Sequence, residues 1–410
     1  MLSFLIQVQV WLVYWLGRIV LGAPSSGSGQ PIDLTHVKHV LVVRPDEIGD
    51  LVLTTPFLRE LRGLLPDAWI TLVVNPVTYN LVEQCPYVNQ VLVYDQRVAR
   101  RWRPFILPWR VLRLAYRRLR SQRFDLALFP RWDTDGYYSA SLAYFSCAAW
   151  RVGYSETVTE RKRKLNRGTD LLFTYALRDR TPKHEVRHNL DLIQHLGGAA
   201  HDTDLELWLS DEDKAFAEQM LGSGGLSSSP LVAFGAGAGA AQRRWPIENF
   251  VALGVWLKEC CQASILVVGG RADQGLGRQL ASALGDGVID MTGRASLRQT
   301  AALLKHCHLY VGNDSGPMHL AAAVGIPVVE ISSFPRGGPA WHWNSPIRFG
   351  PWSVPHRILQ PEKASPPCQE ACVATKPHCI KNVTVKQVQQ AVAEMLAYQV
   401  QKLETAKTNG

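Results

Sequence analysis

The residues best placed to do chemistry are Asp314, Ser315 and His319, in the stretch Tyr310-Val-Gly-Asn-Asp314-Ser315-Gly316-Pro-Met-His319-Leu-Ala-Ala-Ala-Val-Gly325-Ile-Pro327. An apolar run delivers the chain to a small polar turn, where Asp314 or Ser315 can cap a following helix. Gly316 lets a ligand approach the backbone closely. The first N–H groups of that helix have no partner within it, which makes a site for an anion such as a phosphate. His319 falls one turn into the helix, on the side facing the turn. Gly325 and Pro327 end the helix and Val328 begins another strand, a layout suited to a nucleotide-phosphate site.

Two further segments carry candidate chemistry. Asp50, in Arg44-Pro-Asp46-Glu47-Ile-Gly49-Asp50, stands where a first strand hands over to its helix. A carboxylate there can take a proton from a hydroxyl nucleophile, or simply cap the helix. Gly235-Ala-Gly237-Ala-Gly239-Ala240 follows a later strand and can form a nest of backbone N–H groups, with Arg243 and Arg244 to neutralise a diphosphate. Gly235, Gly237 and Ala240 also fit the loose fingerprint of a nicotinamide or flavin site, though Arg243-Arg244-Trp245-Pro246 interrupts the direct entry into a helix which that site needs. Asp273, after Gly269-Gly270, is positioned to hold ribose hydroxyls or to cap a turn.

From Gln96 to Phe124 the chain has ten arginines and no acid. Arg110, Arg113, Arg117 and Arg120 share one helical face, and Trp102, Trp109 and Tyr116 are interleaved. A basic amphipathic segment with aromatics reads as a contact with an anionic membrane surface, with a nucleic-acid face as the competing use. Residues 2–21 are almost wholly apolar. They suit either one membrane-spanning helix or a helix lying in the interface, and they tip the choice to membrane, so no nucleic acid is expected. Cys368, Cys372 and Cys379, with His378, offer four soft metal ligands, but at a spacing that matches no standard zinc pattern. The bland alternative is cysteines that stabilise a loop, and no metal site is assigned.

These residues need strands and turns to hold them. β-Branched runs at 39–44, 70–74, 90–93 and 126–129 predict strands, with a helix over 51–64. A second cycle places strands at 231–234, 265–268 and 309–311, helices at 212–221 and 250–260, and a terminal helix over 385–404. The strand–helix alternation predicts an α/β protein with two Rossmann-like domains facing across a cleft, plus an N-terminal apolar helix. The expected divisions are an apolar helix and Ser/Gly linker (1–30), a first domain (31–222), a second (223–384), and a terminal helix with a polar tail (385–410). The 410 residues and 47% hydrophobic content suffice for two cores. A net charge of +9 favours an anionic partner. Eight cysteines, two of them adjacent, do not form a secreted disulfide framework, so a reducing compartment is expected.

Taken together, Ile48-Gly49-Asp50-x-x-x-Thr54-Thr55-Pro56, Arg244-Trp245-Pro246 and Asp314-Ser-Gly-x-x-His319-x-Ala-Ala-Ala-x-Gly-x-Pro327 resemble glycosyltransferase family 9, the ADP-heptose:lipopolysaccharide heptosyltransferases. The match runs from about His39 to Val392. The resemblance implies a GT-B fold with the acceptor half first and the nucleotide-sugar half second. It also implies inverting transfer without a catalytic metal or cofactor, from a nucleoside diphosphate sugar to a glycolipid or lipopolysaccharide acceptor. Asp50 then occupies the position of the general base, Arg243 contacts the donor diphosphate, Asp273 lies near the acidic residue that holds the ribose, and Asp314, Ser315, Gly316 and His319 form the donor turn. The implied location is the cytoplasmic side of the bacterial inner membrane, peripheral or held by one N-terminal helix. The Gly-Ala-rich turn at 235–241 departs from the more polar, Thr-bearing turn of some relatives. The alternatives from other classes are a dinucleotide-dependent oxidoreductase and a non-catalytic protein that binds sugar nucleotides or membranes.

Overall fold

The computed structural model describes residues 13–15, 19, 32–222 and 229–408. The chain divides into two compact units, residues 1–203 and 204–410. The first holds six parallel strands: β1 (His39–Val43), β2 (Trp69–Val74), β3 (Gln90–Val93), β4 (Leu126–Phe129), β5 (Trp150–Tyr154) and β6 (Tyr175–Leu177), in the order β3-β2-β1-β4-β5-β6. The second repeats the plan with β7 (Leu231–Gly235), β8 (Ser264–Val267), β9 (Val288–Asp290), β10 (Leu309–Asn313), β11 (Val328–Ile331) and β12 (His356–Leu359), ordered β12-β11-β10-β7-β8-β9. Read from its own first strand, each sheet has the doubly wound order of a Rossmann fold. The order reverses between β1 and β4 in one unit and between β7 and β10 in the other.

The central strands are apolar because both of their faces are covered. Val40, Leu41, Val42 and Val43 are fully buried, as are Leu309, Tyr310 and Val311. In the first unit Phe129, Phe145 and Phe173 join this core, and in the second Trp245, Phe250 and Ile380 do so.

Two sequence expectations need correction. The helix expected over 51–64 is two helices, Ile48–Val52 and Thr55–Leu64. Pro56 has no N–H to offer the Val52 carbonyl; the Thr55 hydroxyl donates to it instead, at 2.8 Å. The division between units falls at Thr203/Asp204 rather than after residue 222. The Asp211–Gly222 helix belongs to the second unit, where it packs on the Leu297–Lys305 helix and the buried Asp213 accepts a 2.8 Å bond from Arg298 Nε. The expected terminal helix is present as Val385–Thr408 and packs against the Ile247–Cys261 helix and the sheet, with Val388, Ala391, Val392 and Met395 in the core.

Most of the expected N-terminal apolar helix and Ser/Gly linker, like residues 223–228, lies outside the described residues. Tyr14 stacks on Tyr144 at 6.1 Å, and the Tyr144 hydroxyl donates to the Tyr14 carbonyl. Among the described residues no helix is long and apolar enough to cross a membrane.

Candidate functional site

In an open parallel sheet the carboxyl ends of the strands flanking the order reversal leave a crevice, because their connections leave in opposite directions. The donor-site candidates from the second half of the sequence follow the carboxyl ends of the two flanking strands and of their neighbour β8. The Gly235–Ala240 turn leaves β7, Asp314 leaves β10, and Asp273 follows β8.

The side chain of Asn313 joins the first two. Its Nδ2 donates to the Ala236 carbonyl at 2.8 Å, and its Oδ1 accepts from the Trp245 amide at 3.0 Å. Trp245 is buried and stacks edge-on against Phe250 at 5.0 Å, and its indole N–H donates to the Val383 carbonyl. Arg243 therefore sits two residues before a fixed anchor. Its Nη1 reaches Asp314 Oδ2 at 3.2 Å. Arg244 donates through Nε and Nη2 to the Ala238 carbonyl and lies 4.0 Å from Asp273 Oδ1. Asp273 accepts from the Gly270 amide at 3.0 Å. A Cβ at Gly237 would fall inside the Asp273 carboxylate, so this position must be glycine for the turn and the acid to share the space.

Ser315 is the N-cap residue of the Gly316–Ala323 helix, but its side chain makes no capping bond; its hydroxyl donates instead to the Asn313 carbonyl at 3.1 Å. The capping role weighed for Ser315 is thus not made, and the N-terminal end of the helix keeps its positive character for a ligand. His319, one turn in, is buried. Behind this turn lies Glu330 on β11, 1% exposed. Burial and the Asp314 charge push its carboxyl well above the usual range, against the pull of Arg243.

Asp50 is in the first unit, in the Ile48–Val52 helix that follows β1. Two guanidinium groups flank it: Arg44 Nη2 at 3.5 Å and Arg131 Nη1 at 3.7 Å from its Oδ1. Arg44 comes from the end of β1 and Arg131 from just beyond β4, so the pair marks the order reversal of this sheet. Asp46, fully buried, lies 3.3 Å from Arg44 Nη1 and also binds Arg131. Burial opposes the Arg131 charge, but Asp46 and Asp50 outweigh it and hold the guanidinium more firmly protonated. Sequence reasoning missed Arg44, Arg131, Asn313 and Glu330 as site residues. The available signal was a charged residue ending or following a fully apolar strand, as in Val43-Arg44 and Phe129-Pro130-Arg131.

Arg110, Arg113, Arg117 and Arg120 lie on the Arg103–Leu114 helix and its continuation to Gln122. Leu107, Val111, Ala115 and Leu119 anchor the segment in the core. Arg110 donates to the Asp95 carbonyl at 2.6 Å, while Arg113, Arg117 and Arg120 are exposed with no ion pair among the described residues. Trp102, Phe105, Trp109 and Tyr116 are exposed beside them, the last two by 73% and 72%. Arg103 covers the Tyr137 ring at 5.1 Å, and the Tyr137 hydroxyl donates to Glu47, which links this segment to the Asp50 loop.

The family model for glycosyltransferase family 9 (heptosyltransferase) matches residues 111–377, more than half of the chain. The chain belongs to glycosyltransferase family 9. It is therefore a glycosyltransferase. Lipopolysaccharide heptosyltransferase 2 of Salmonella typhimurium is 26% identical over 311 residues, which cover 71% of this chain and 82% of that protein. The crystal structure of the family 9 glycosyl transferase from Veillonella parvula aligns with a TM-score of 0.69 and 20% identity, over 92% of this chain and 99% of that one. The structure of E. coli ADP-heptose lps heptosyltransferase II aligns with a TM-score of 0.65 and 20% identity, over 88% and 99%. These likenesses establish the GT-B fold. Family 9 membership sets aside the oxidoreductase and non-catalytic readings. The dinucleotide fingerprint fails locally as well, because the turn after Gly235 passes through a 3₁₀ turn (Ala241–Arg243) and Pro246 before the helix begins at Ile247.

Proposed function

We propose that this enzyme moves a heptose-like sugar from a nucleoside diphosphate donor to a hydroxyl of a lipopolysaccharide-type glycolipid, with inversion and without a catalytic metal. The observation that carries this reading is the donor turn. Arg243, Arg244 and the N-terminal end of the Gly316–Ala323 helix bring positive charge to one switch point, where a departing diphosphate needs it. Asp273 accepts the ribose hydroxyls. Asp314 holds Arg243 in place, and His319 supports the turn from within the helix. ADP-heptose is the favoured donor, since the related E. coli enzyme is named for it.

Asp50 acts as the base. It takes the proton of the acceptor hydroxyl as that oxygen attacks the anomeric carbon from the face opposite the leaving diphosphate. Arg44 and Arg131 hold its carboxylate in position. The exposed arginines and aromatics of residues 102–120 lie against an anionic membrane surface on the cytoplasmic side of the inner membrane, where a lipid-linked acceptor is presented. The likeness to a lipopolysaccharide heptosyltransferase supports the acceptor class.

The test is nucleoside diphosphate release from ADP-heptose, compared with GDP- and UDP-sugars, with and without a lipopolysaccharide acceptor and with and without added Mg²⁺ or Mn²⁺. Acceptor-dependent ADP release that does not rise with added metal is expected. Release of another nucleotide overturns the donor assignment, and release that requires Mg²⁺ or Mn²⁺ overturns the metal-free chemistry.

A further inference from the structure

Residues 360–378 contain no helix or strand, although they lie between β12 and the 3₁₀ turn Cys379–Asn382, both packed parts of the second unit. An irregular segment of nineteen residues inside a compact domain needs something besides backbone pairing to hold it. Its side chains supply little apolar packing; Val373, for example, is 74% exposed.

What the segment has instead is a convergence of soft donor atoms. The Sγ atoms of Cys368, Cys372 and Cys379 and a ring nitrogen of His378 all lie within 4.8 Å of one another. His378 Nδ1 is 3.6 Å from Cys368 Sγ and 3.5 Å from Cys379 Sγ. A tetrahedral ion with metal–sulfur bonds of about 2.3 Å and a metal–nitrogen bond of about 2.05 Å requires N···S edges of roughly 3.5 Å. The adjacent His378 and Cys379 reach one centre because the backbone at His378 turns sharply (φ −135°, ψ −88°). The Val373 amide donates to Cys368 Sγ at 3.4 Å, the kind of outer bond that orients a thiolate ligand. Cys368 and Cys379 are buried, and all four donors are of the type that selects zinc or ferrous iron over magnesium or calcium.

We infer that Cys368, Cys372, His378 and Cys379 bind one tetrahedral divalent ion of the zinc class, which closes this segment into a structural clip. Four protein donors leave no open position for a substrate, so the ion takes no part in transfer. The clip has a defined neighbour. The turn that Cys379 begins packs against the turn carrying Arg243, Ile380 and Val383 share a core with Trp245, and the Glu370 carbonyl abuts Gly338 in the loop after β11. Fixing the cysteine segment fixes the bed on which the Arg243 turn rests.

The test is elemental analysis of the full chain purified without chelator, alongside Cys368→Ser/Cys379→Ser, Cys372→Ser and, as a control elsewhere in the unit, Cys260→Ser. One equivalent of zinc or iron per chain is expected in the wild type and in Cys260→Ser. At least a tenfold loss is expected in the double variant, with a lower thermal midpoint in metal-stripped wild type that returns on adding Zn²⁺. Because the double variant could fail to fold, stripped wild type is also titrated with Co²⁺, which should give the strong visible bands and thiolate charge transfer of a tetrahedral thiolate site. The inference is overturned if the wild type is metal-free and takes up neither Zn²⁺, Fe²⁺ nor Co²⁺. It is equally overturned if the folded Cys372→Ser and double variants keep full metal, or if non-reduced peptide mapping finds the cysteines joined as a disulfide. None of these readouts depends on which sugar is transferred.

Discussion

Arg243 Nη1 lies 3.2 Å from Asp314 Oδ2, joining the turn after β7 to the turn after β10 across the point where the strand order reverses. The two residues are 71 positions apart, and they meet because β7 and β10 are hydrogen-bonded neighbours. The pair is only partly exposed, and under the proposed function its guanidinium is held ready for the donor diphosphate. Arg243→Ala is expected to lower kcat/KM for the donor by about 10²–10³-fold, the usual cost of removing a charge-stabilising donor. Arg243→Lys should recover part of this, keeping the charge but losing the planar fork. Steady-state kinetics with varied nucleotide-sugar measure both.

Asp50→Asn keeps the shape of the side chain and removes the proton acceptor. Turnover should fall by roughly 10²–10⁴-fold, the range for loss of a general base. ADP affinity by calorimetry and the thermal midpoint should stay close to wild type. Near-normal turnover in this variant would disprove the assignment of the base.

Gly237→Ala places a methyl group where the Asp273 carboxylate now lies. Nucleotide affinity is expected to drop by at least tenfold, consistent with the loss of one or two charged hydrogen bonds at about 1.5–3 kcal/mol each. Gly237→Ala combined with Asp273→Ala should restore the thermal midpoint without restoring affinity. Recovery of affinity in the double variant would show that Asp273 does not touch the ribose.

Glu330 sets a pH dependence. Its carboxyl is raised in the folded protein by burial and by Asp314, above an ordinary value of 4.5 in the unfolded chain. Above pH 4.5 the folded state then holds a proton that the unfolded state has lost, so this group's contribution to stability falls as pH rises through that window. Glu330→Gln removes the dependence. Relative to wild type, the variant should match at pH 4 and gain stability towards pH 8, with a slope of at most about 1.4 kcal/mol per pH unit. Urea unfolding at several pH values checks the sign.

The exposed basic and aromatic face predicts binding to vesicles of anionic phospholipid that weakens with salt. Arg113→Glu/Arg117→Glu should reduce co-sedimentation with phosphatidylglycerol vesicles by about tenfold or more, given roughly 1 kcal/mol per basic residue at such a surface. Trp109→Ser should weaken it further without altering the salt dependence. Equal binding of wild type and the double variant would show that this face does not meet the membrane.

What could be read from the sequence, and what could not, follows physical lines. The central strands β1, β4, β7 and β10 are unbroken apolar runs because they are covered on both faces, and they were found at or near their true limits. Trp150–Tyr154 was missed because Arg151 interrupts the pattern. That arginine is fully buried, and it is satisfied by the Leu172 and Ala148 carbonyls, which only the folded chain supplies. Val288–Asp290 and His356–Leu359 are short edge strands with one exposed side, so they carry little apolar signal. The turns bearing Asp50, Arg243 and Asp314 were legible because glycine, serine and proline mark a strand-to-helix handover. Arg44, Arg131 and Glu330 were not, since each takes its role from partners outside its own segment.

The Trp245 indole finds its acceptor 138 residues further along the chain, at the Val383 carbonyl. At a synthesis rate of about 5–20 residues per second, roughly 7–28 s pass between the emergence of one and that of the other. Until Val383 is made, the indole N–H lacks this acceptor, although Phe250 and Asn313, which also hold Trp245, are already in the chain. The bed beneath the Arg243 turn is thus completed only once translation has passed Val383.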